Sequence, residues 1–215
     1  MQLERRYSLF DKLCLSFDQA LRALSDGVKT TGATYPASHI QEEQLSESQK
    51  KQSEALMRIN HTGEICAQAL YHSQGLVSHT PQLHAKMQQA SIEEGDHLAW
   101  CKKRLDELGG RTSYLNPFWY MGSFCIGVFA GRMGDAWSLG FVAETEQQVV
   151  KHLEGHLDLL KSKDPKSYAV LQHMEKDEAK HRDEAMQAGA KHLPFVIKKI
   201  MAVTSKIMVK TAYYV

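Results

Sequence analysis

The feature that most constrains this chain is a pattern of glutamate and histidine that occurs twice. Glu94 and His97 stand three residues apart, and Glu178 and His181 repeat that spacing 84 residues later. On an α-helix, residues three apart project from one face, so each pair directs a carboxylate and an imidazole to the same point. Both groups are ligands for transition metals. Each pair is therefore half of a predicted metal site.

A lone glutamate precedes each pair at a nearly constant distance. Glu64 lies 30 residues before Glu94, and Glu146 lies 32 residues before Glu178. In an antiparallel helical hairpin, residues equidistant from the turn stand at the same height. The spacing therefore places each lone glutamate beside its pair if each copy is a hairpin whose arms are about 15 residues, roughly 22 Å, long.

The sequence breaks fall where these hairpins need their turns. The two midpoints are residues 79 and 162, which lie beside Thr80-Pro81 and within Ser162-Lys163-Asp164-Pro165. Proline ends one helix and is favoured at the start of the next. Two hairpins together predict a four-helix bundle with the six side chains at mid-height.

The ligand set of this bundle matches the ferritin-like di-iron or di-manganese pattern. Four ionised glutamates carry a charge of about −4, which two divalent cations neutralise while the histidines bind in their neutral form. Oxygen and imidazole donors without thiolate favour iron or manganese. The alternative is a bundle whose surface glutamates align by chance. The predicted ligands are Glu64, Glu94, His97, Glu146, Glu178 and His181.

Composition limits the class of protein. With 215 residues, 43% of them hydrophobic and 24% charged, the chain suits one globular domain with an appendage. A net charge of +1 argues against a nucleic-acid partner. Its four cysteines form no C-x-x-C and are expected to be reduced. Met1 to Arg6 is charged without a following apolar run, so no targeting segment is predicted.

Outside the bundle, residues 1–44 are predicted to form an amphipathic helix over 8–24 followed by a mobile linker, and residues 45–215 the ferritin-like domain. The helix is expected to pack on the bundle, with membrane contact as the alternative. Its apolar stripe consists of Leu9, Phe10, Leu13, Phe17, Leu21 and Leu24. The bundle helices are predicted at 46–79, 81–108, 135–161 and 165–188.

Two apolar segments suggest contact with lipid. Residues 113–131 carry no charge and connect the two hairpins. This crossover either contacts a bilayer or an apolar ligand, or it packs into its own core. The tail from Pro194 to Val215 alternates apolar residues with four lysines, which suits an interfacial helix. An ordinary packed helix is the alternative for the tail.

Other polar residues near the predicted ligands have open roles. Gly63 weakens a helix, which a closely approaching helix or ligand would explain. His61 is a candidate seventh ligand. His152 is a candidate partner of the ligands or a structural histidine. Glu93 and Asp177, each four before a ligand histidine, either orient an imidazole or lie in solvent.

These motifs resemble the demethoxyubiquinone hydroxylase family from about residue 46 onward. The resemblance is carried by Leu56-Met57-Arg58-Ile59-Asn60-His61-Thr62-Gly63-Glu64, by Glu93-Glu94-Gly95-Asp96-His97-Leu98 and by the final Asp-Glu-x-x-His. It implies a ferritin-like enzyme of ubiquinone biosynthesis that holds two iron ions on the six predicted ligands, with His152 matching a family histidine.

The activity that the resemblance implies is an O2-dependent monooxygenation. The substrate is 2-polyprenyl-3-methyl-6-methoxy-1,4-benzoquinol, whose ring is hydroxylated on the cytoplasmic face of the inner membrane by a peripherally bound protein. A ferritin-like iron-binding or ferroxidase protein without oxygenase activity is the alternative. The electron donor, the prenyl length and any homo-oligomer or biosynthetic-complex partner stay open.

Overall fold

The structure is a computed structural model that describes residues 8–25 and 27–215. All regular structure in these residues is helical, which confirms the predicted all-α class. Met1 to Arg6, on which the targeting prediction rests, lie outside the described residues. The helices are α1 (Leu9–Leu24), α2 (Glu47–Val77), α3 (Pro81–Glu107), α4 (Asn116–Arg132), α5 (Asp135–Leu160), α6 (Pro165–Gln187) and α7 (Phe195–Tyr214).

Four of these helices form the bundle. α2 packs along α3 and α5 packs along α6, while contacts of α3 with α6 and of α2 with α5 join the two pairs. Ser46 begins α2 with a capping box, and Thr80 and Asp164 cap α3 and α6 directly before Pro81 and Pro165. Both hairpins therefore turn where the glutamate spacing predicted.

The crossover between the hairpins is itself a helix, α4, that lies along α2. A Cβ at Gly127 would stand 2.0 Å from Ser73 Oγ and 3.1 Å from the carbonyl oxygen of Leu70, so glycine lets α4 pack closely on α2. One side of α4 buries Tyr120 against α2, while Phe118 and Phe129 on its other side are exposed. The predicted packing of the crossover is therefore confirmed for one face, and contact of the exposed face with a bilayer stays a prediction.

The tail helix α7 is fixed at its C-terminal end. The buried guanidinium of Arg58 donates from Nε to the carbonyl of Arg111 at 3.0 Å and from Nη1 to that of Tyr213 at 2.9 Å. A cation is favoured at a helix C-terminus, where carbonyls lack intrahelical partners. At the other end, Phe195 and Val196 are exposed. α7 thus lies on α2 and α5, and its first residues expose apolar side chains while Lys198 pairs with Glu144 of α5.

The N-terminal helix packs on the bundle as predicted, but with only part of its apolar stripe. α1 begins with a capping box at Ser8, and Ala20, Ala23 and Leu24 pack against the bundle and α4. Phe10, Phe17 and Leu21 of the stripe are exposed. The helix therefore contacts the bundle through its C-terminal portion, chiefly with small side chains. The side chains of Leu9 and Leu13 lie outside the description.

Residues 27–45 contain no helix but pack on the bundle. Tyr35 and Ala37 are buried in its core, and Thr31 donates its hydroxyl to Asp96 of α3. The described part of the predicted linker is thus a packed segment. The division of the chain near residue 44 stays a prediction.

One buried cation ties this segment to two helices. Arg104 of α3 is fully buried, and Nη2 donates to Glu42 at 2.8 Å and to Asp164 at 2.9 Å, while Nε donates to Ser167 at 3.0 Å. Nη1 also donates to Glu107. A buried guanidinium needs such complete pairing, because an unpaired charge is costly to bury.

Candidate metal centre

The structure brings the six predicted ligands together inside the bundle, and all six are buried. Glu64 comes from α2, Glu94 and His97 from α3, Glu146 from α5, and Glu178 and His181 from α6. The donor atoms of Glu64, Glu94, His97 and Glu178 all lie within 4.8 Å of one another. Glu146 and His181 stand beside this cluster, next to Glu178 and Glu94.

Glu94 and Glu178 lie between the two imidazoles. His97 Nδ1 is 3.1 Å from Glu94 Oε2 and 3.2 Å from Glu178 Oε1. His181 Nδ1 is 3.0 Å from Glu94 Oε1 and 3.8 Å from Glu178 Oε2. Each of these two carboxylates therefore lies close to both imidazoles, as a ligand shared by two ions would have to.

The outer nitrogen of each imidazole bonds an acid from the opposite helix. His97 Nε2 of α3 lies 3.0 Å from Asp177 Oδ2 of α6, and His181 Nε2 of α6 lies 2.7 Å from Glu93 Oε2 of α3. An Nε2–H that donates to a carboxylate leaves Nδ1 free to bind metal. Both acids therefore orient an imidazole, although each orients the one across the interface.

Two carboxylate oxygens of the centre are buried without a hydrogen-bond partner among the described residues, Glu64 Oε2 and Glu178 Oε2. A buried anionic oxygen without a partner is costly, unless a cation binds there. Burial and the nearby charges of Glu94 and Glu178 hold the pKa of Glu64 well above its ordinary value. Burial and the same neighbours also raise the pKa of Glu146.

Burial and the neighbouring carboxylates shift the pKa of each ligand histidine in opposite directions. Burial lowers the pKa of His181, but hydrogen bonds and charge from Glu178 and Glu94 outweigh it and raise that pKa to about 12. The pKa of His97 is likewise raised by the charge of Glu94 and by Asp177, against burial. Positive charge therefore stabilises the buried carboxylates, and protons or metal ions can supply it. The donor set fits a hard, divalent transition metal such as iron or manganese.

Other side chains near the ligands, including the candidates His61 and His152, stand outside the donor cluster. Among the described residues it includes neither His61 nor Cys66. His61 Nδ1 lies 3.4 Å from Asn116 Nδ2, and burial lowers the pKa of His61 to about 4. Burial also raises the pKa of Cys66 to about 11, which keeps it a thiol. The His152 ring packs edge-on against the His156 ring, with 4.0 Å between the two centroids. Burial lowers the pKa of His152, which favours its neutral form.

A cavity of about 320 Å³ opens onto the centre between α2, α4, α5 and α7. Glu64, Glu146 and Glu178 line its inner end, and most of the remaining lining is apolar. A Cβ on Gly63 would meet no atom within 4 Å and would project into this cavity. The approach of a helix therefore does not explain this glycine, and space for a ligand stays a prediction.

Sequence reasoning missed Tyr71, which holds Glu146. The buried Tyr71 hydroxyl donates to Glu146 Oε1 at 2.7 Å. Tyr71 follows Glu64 by seven residues, two helical turns, so it projects from the same face of α2. That spacing was the only sequence signal for it.

We expect Tyr71→Phe to weaken metal binding by about 10–100-fold, as loss of a ligand's outer partner generally does. Glu146 would lose its donor and become free to rotate. Competition with a chromophoric chelator measures the affinity. Tyr120→Phe is the matched control, because its buried hydroxyl bonds His72 at 3.0 Å away from the centre. Equal affinities for the two variants would contradict a role for Tyr71 at the ligand.

Comparison with known proteins gives one family and many close relatives. The family described as "Ubiquinone biosynthesis protein COQ7" matches residues 51–212. A protein of Nitrosococcus oceani is 50% identical over 98% of this chain and 99% of its own length. Proteins of Polynucleobacter asymbioticus and Acinetobacter baumannii are 48% and 49% identical, over 96% and 98% of this chain and 99% of their own lengths. All three are named 3-demethoxyubiquinol 3-hydroxylase.

Proposed function

This chain belongs to the family of ubiquinone biosynthesis protein COQ7, and from that premise we propose that it hydroxylates the ring of a demethoxyubiquinol. It is an enzyme of ubiquinone biosynthesis. The substrate in full is a 2-polyprenyl-3-methyl-6-methoxy-1,4-benzoquinol, and O2 supplies the oxygen atom. The observation that carries this function is a buried carboxylate and histidine centre at the inner end of an apolar cavity.

Two iron ions are the proposed cofactor. Glu64, Glu94 and His97 would hold one ion, and Glu146, Glu178 and His181 would hold the other; Glu94 and Glu178 lie close to both imidazoles and could serve both ions. When bound, the irons supply the activation of O2 and the transfer of one of its atoms to the ring. Asp177 and Glu93 hold the two imidazoles in place from outside.

The cavity selects and orients the quinol. Its apolar walls, which include Ile126, Phe129, Ile200 and Met201, suit a prenyl tail and exclude water from the centre. The ring then lies at the inner end, close to the carboxylates. His152 lines this space, and its Nε2 is buried without a hydrogen-bond partner among the described residues. A neutral His152 can accept a hydrogen bond from a quinol hydroxyl.

The function is tested in a single turnover, with purified protein loaded with ferrous iron, which supplies the two electrons, and a short-tailed demethoxyubiquinol. We expect a product heavier by one oxygen atom, which carries the label when 18O2 is the gas, in mass spectra. A ferroxidase without oxygenase activity would consume O2 on addition of ferrous ion and leave the quinol unchanged. Unlabelled product from 18O2, or no product, would overturn the proposal.

The route for the tail gives a second test. Ile126 lines the cavity and is 41% exposed, so Ile126→Asp puts a charge on the route without burying it in the core. We expect normal iron content, strongly reduced turnover of a long-tailed quinol and a smaller loss with a short-tailed analogue. Phe124, which also lies in the charge-free stretch, packs against Tyr120 and His72 instead of the cavity. Phe124→Asp is therefore expected to destabilise the packing of α4 without a selective loss for the long-tailed quinol. Equal losses for both quinols in Ile126→Asp would refute the route.

We propose that the protein binds the surface of the inner membrane from the cytoplasmic side, where its substrate dissolves. Among the described residues, no helix is long and apolar enough to cross a membrane. The outer faces of α4 and α7 expose large apolar side chains, including Phe118, Phe129, Phe195 and Ile200. These two helices also line the cavity, so its mouth opens within the apolar surface. An interfacial orientation would pass the quinol directly from lipid to the cavity.

The exposed lysines of α7 provide the test of membrane binding. Lys198 is paired with Glu144 at 2.7 Å, whereas Lys199, Lys206 and Lys210 are exposed on a helix without acidic residues. We expect Lys199→Gln, Lys206→Gln and Lys210→Gln together to weaken flotation with anionic liposomes, at about 1 kcal/mol per lysine near the surface. Iron content should not change. Flotation equal to that of the unsubstituted protein would show that α7 is only a packed helix.

A further inference from the structure

A series of side-chain contacts leads from the surface to one histidine of the centre. The Trp100 ring lies 5.4 Å from the His97 ring and 5.2 Å from the His173 ring, measured between centroids. Trp100 is buried, whereas 53% of the His173 side chain is exposed. We infer that electrons reach the centre along this path, from a one-electron carrier that docks on the α3–α6 surface near His173.

A carboxylate makes a second connection between the same histidines. Asp177 Oδ2 lies 3.0 Å from His97 Nε2 and 3.6 Å from His173 Nε2. The surface imidazole and the buried one are therefore joined both through an aromatic ring and through a carboxylate. Continuous atomic contact favours electron transfer, because tunnelling across bonded or touching atoms decays less steeply than across open space.

The other half of the centre lacks such a connection. His181 Nε2 bonds Glu93, which lies 3.9 Å from the exposed Lys180. Among the described residues, the ring contacts of His181 lead only to His97, at 6.4 Å. The two histidines thus have similar hydrogen bonds to acids but differ in their aromatic neighbours. If Trp100 only filled the core, electrons would have no preferred route through His97.

The proposed hydroxylation, on which this inference rests, requires a supply of electrons, and the path would provide it. Insertion of one oxygen atom of O2 into a C–H bond, with reduction of the other atom to water, takes up two electrons and two protons. The carrier gives up one electron in each of two transfers. Its docking surface on α3 and α6 lies away from α4 and α7, which cover the cavity. A carrier and a membrane-bound quinol would therefore not compete for one surface.

The test injects electrons at defined surface positions. His173→Cys and Lys180→Cys are each made in a background with Cys14→Ser and Cys125→Ser, which removes the exposed cysteines. A ruthenium bipyridyl photosensitiser is attached to each new cysteine, and the background alone reports any label on Cys66. Laser flashes on anaerobic, iron-loaded protein without quinol then give the rate at which the ferric absorbance bleaches. The measurement involves no hydroxylation, so its failure is separate from failure of the proposed function.

We expect injection from position 173 to be faster than injection from position 180, and Trp100→Phe to slow injection from position 173. Trp100→Phe should not change the rate from position 180. Trp137→Phe is the matched tryptophan control, because Trp137 lines the cavity beside Lys191 and, among the described residues, has no ring contact with His97 or His173. The path would be overturned by equal rates from the two positions, or by a rate from position 173 that is insensitive to Trp100→Phe. If Trp100→Phe fails to hold iron, the comparison of positions 173 and 180 still decides.

Discussion

Glu178→Ala is expected to abolish both iron binding and hydroxylation. Glu178 lies 3.2 Å from His97 and 3.8 Å from His181, so its removal withdraws an oxygen donor from both halves of the centre. The loss should exceed the about 10–100-fold effect of removing an outer partner such as the Tyr71 hydroxyl. Iron per chain and turnover of a short-tailed quinol are the measurements.

The metal-free form of this variant should remain folded. Four buried carboxylates repel one another, so removing one of them relieves repulsion when no cation is present. Thermal unfolding therefore separates loss of iron from loss of structure. Glu154→Ala is the matched control, because Glu154 is an exposed glutamate on α5. Full turnover by Glu178→Ala, or a centre that holds only zinc, would contradict the proposed di-iron site.

Arg104→Met is expected to lower the free energy of unfolding more than any other substitution proposed for this protein. Its guanidinium is fully buried and bonds Glu42, Asp164 and Ser167, so methionine would leave acidic partners without their cation. Breaking a buried ion pair by removing one partner costs about 3–5 kcal/mol. That is a large part of the about 5–15 kcal/mol that holds a domain folded. Chemical denaturation of the metal-free protein measures the change in the free energy of unfolding.

Arg182→Met provides the comparison for Arg104→Met. Arg182 bonds Asp183 at the surface, where a salt bridge contributes about 0–1 kcal/mol. Loss of Arg104 should also release the part of residues 27–45 around Glu42, while the contact of Thr31 with Asp96 of α3 remains. Protease cleavage within residues 27–45 would report this release. A stability for Arg104→Met within error of Arg182→Met would show that the buried cluster contributes nothing.

The sequence by itself determined the bundle and the residue types of its centre. Glu64 and Glu94 are placed at one height by their distance from the turn near Thr80, and Glu146 and Glu178 by theirs from the turn before Pro165. Helix geometry converts such distances along the chain into positions, because each residue advances the helix by a fixed rise. Capping residues and prolines mark the ends locally, so no distant contact is needed to locate them.

The tertiary structure decided which side chains meet across helices. Glu93 precedes His97 by four residues but bonds His181, and Asp177 bonds His97 in return. Ile126 lines the cavity while Phe124, two residues earlier, packs toward His72. These pairings depend on how two helices are rotated about their axes. Periodicity along one helix gives the spacing of its faces, but only packing against neighbours fixes which partner each face meets.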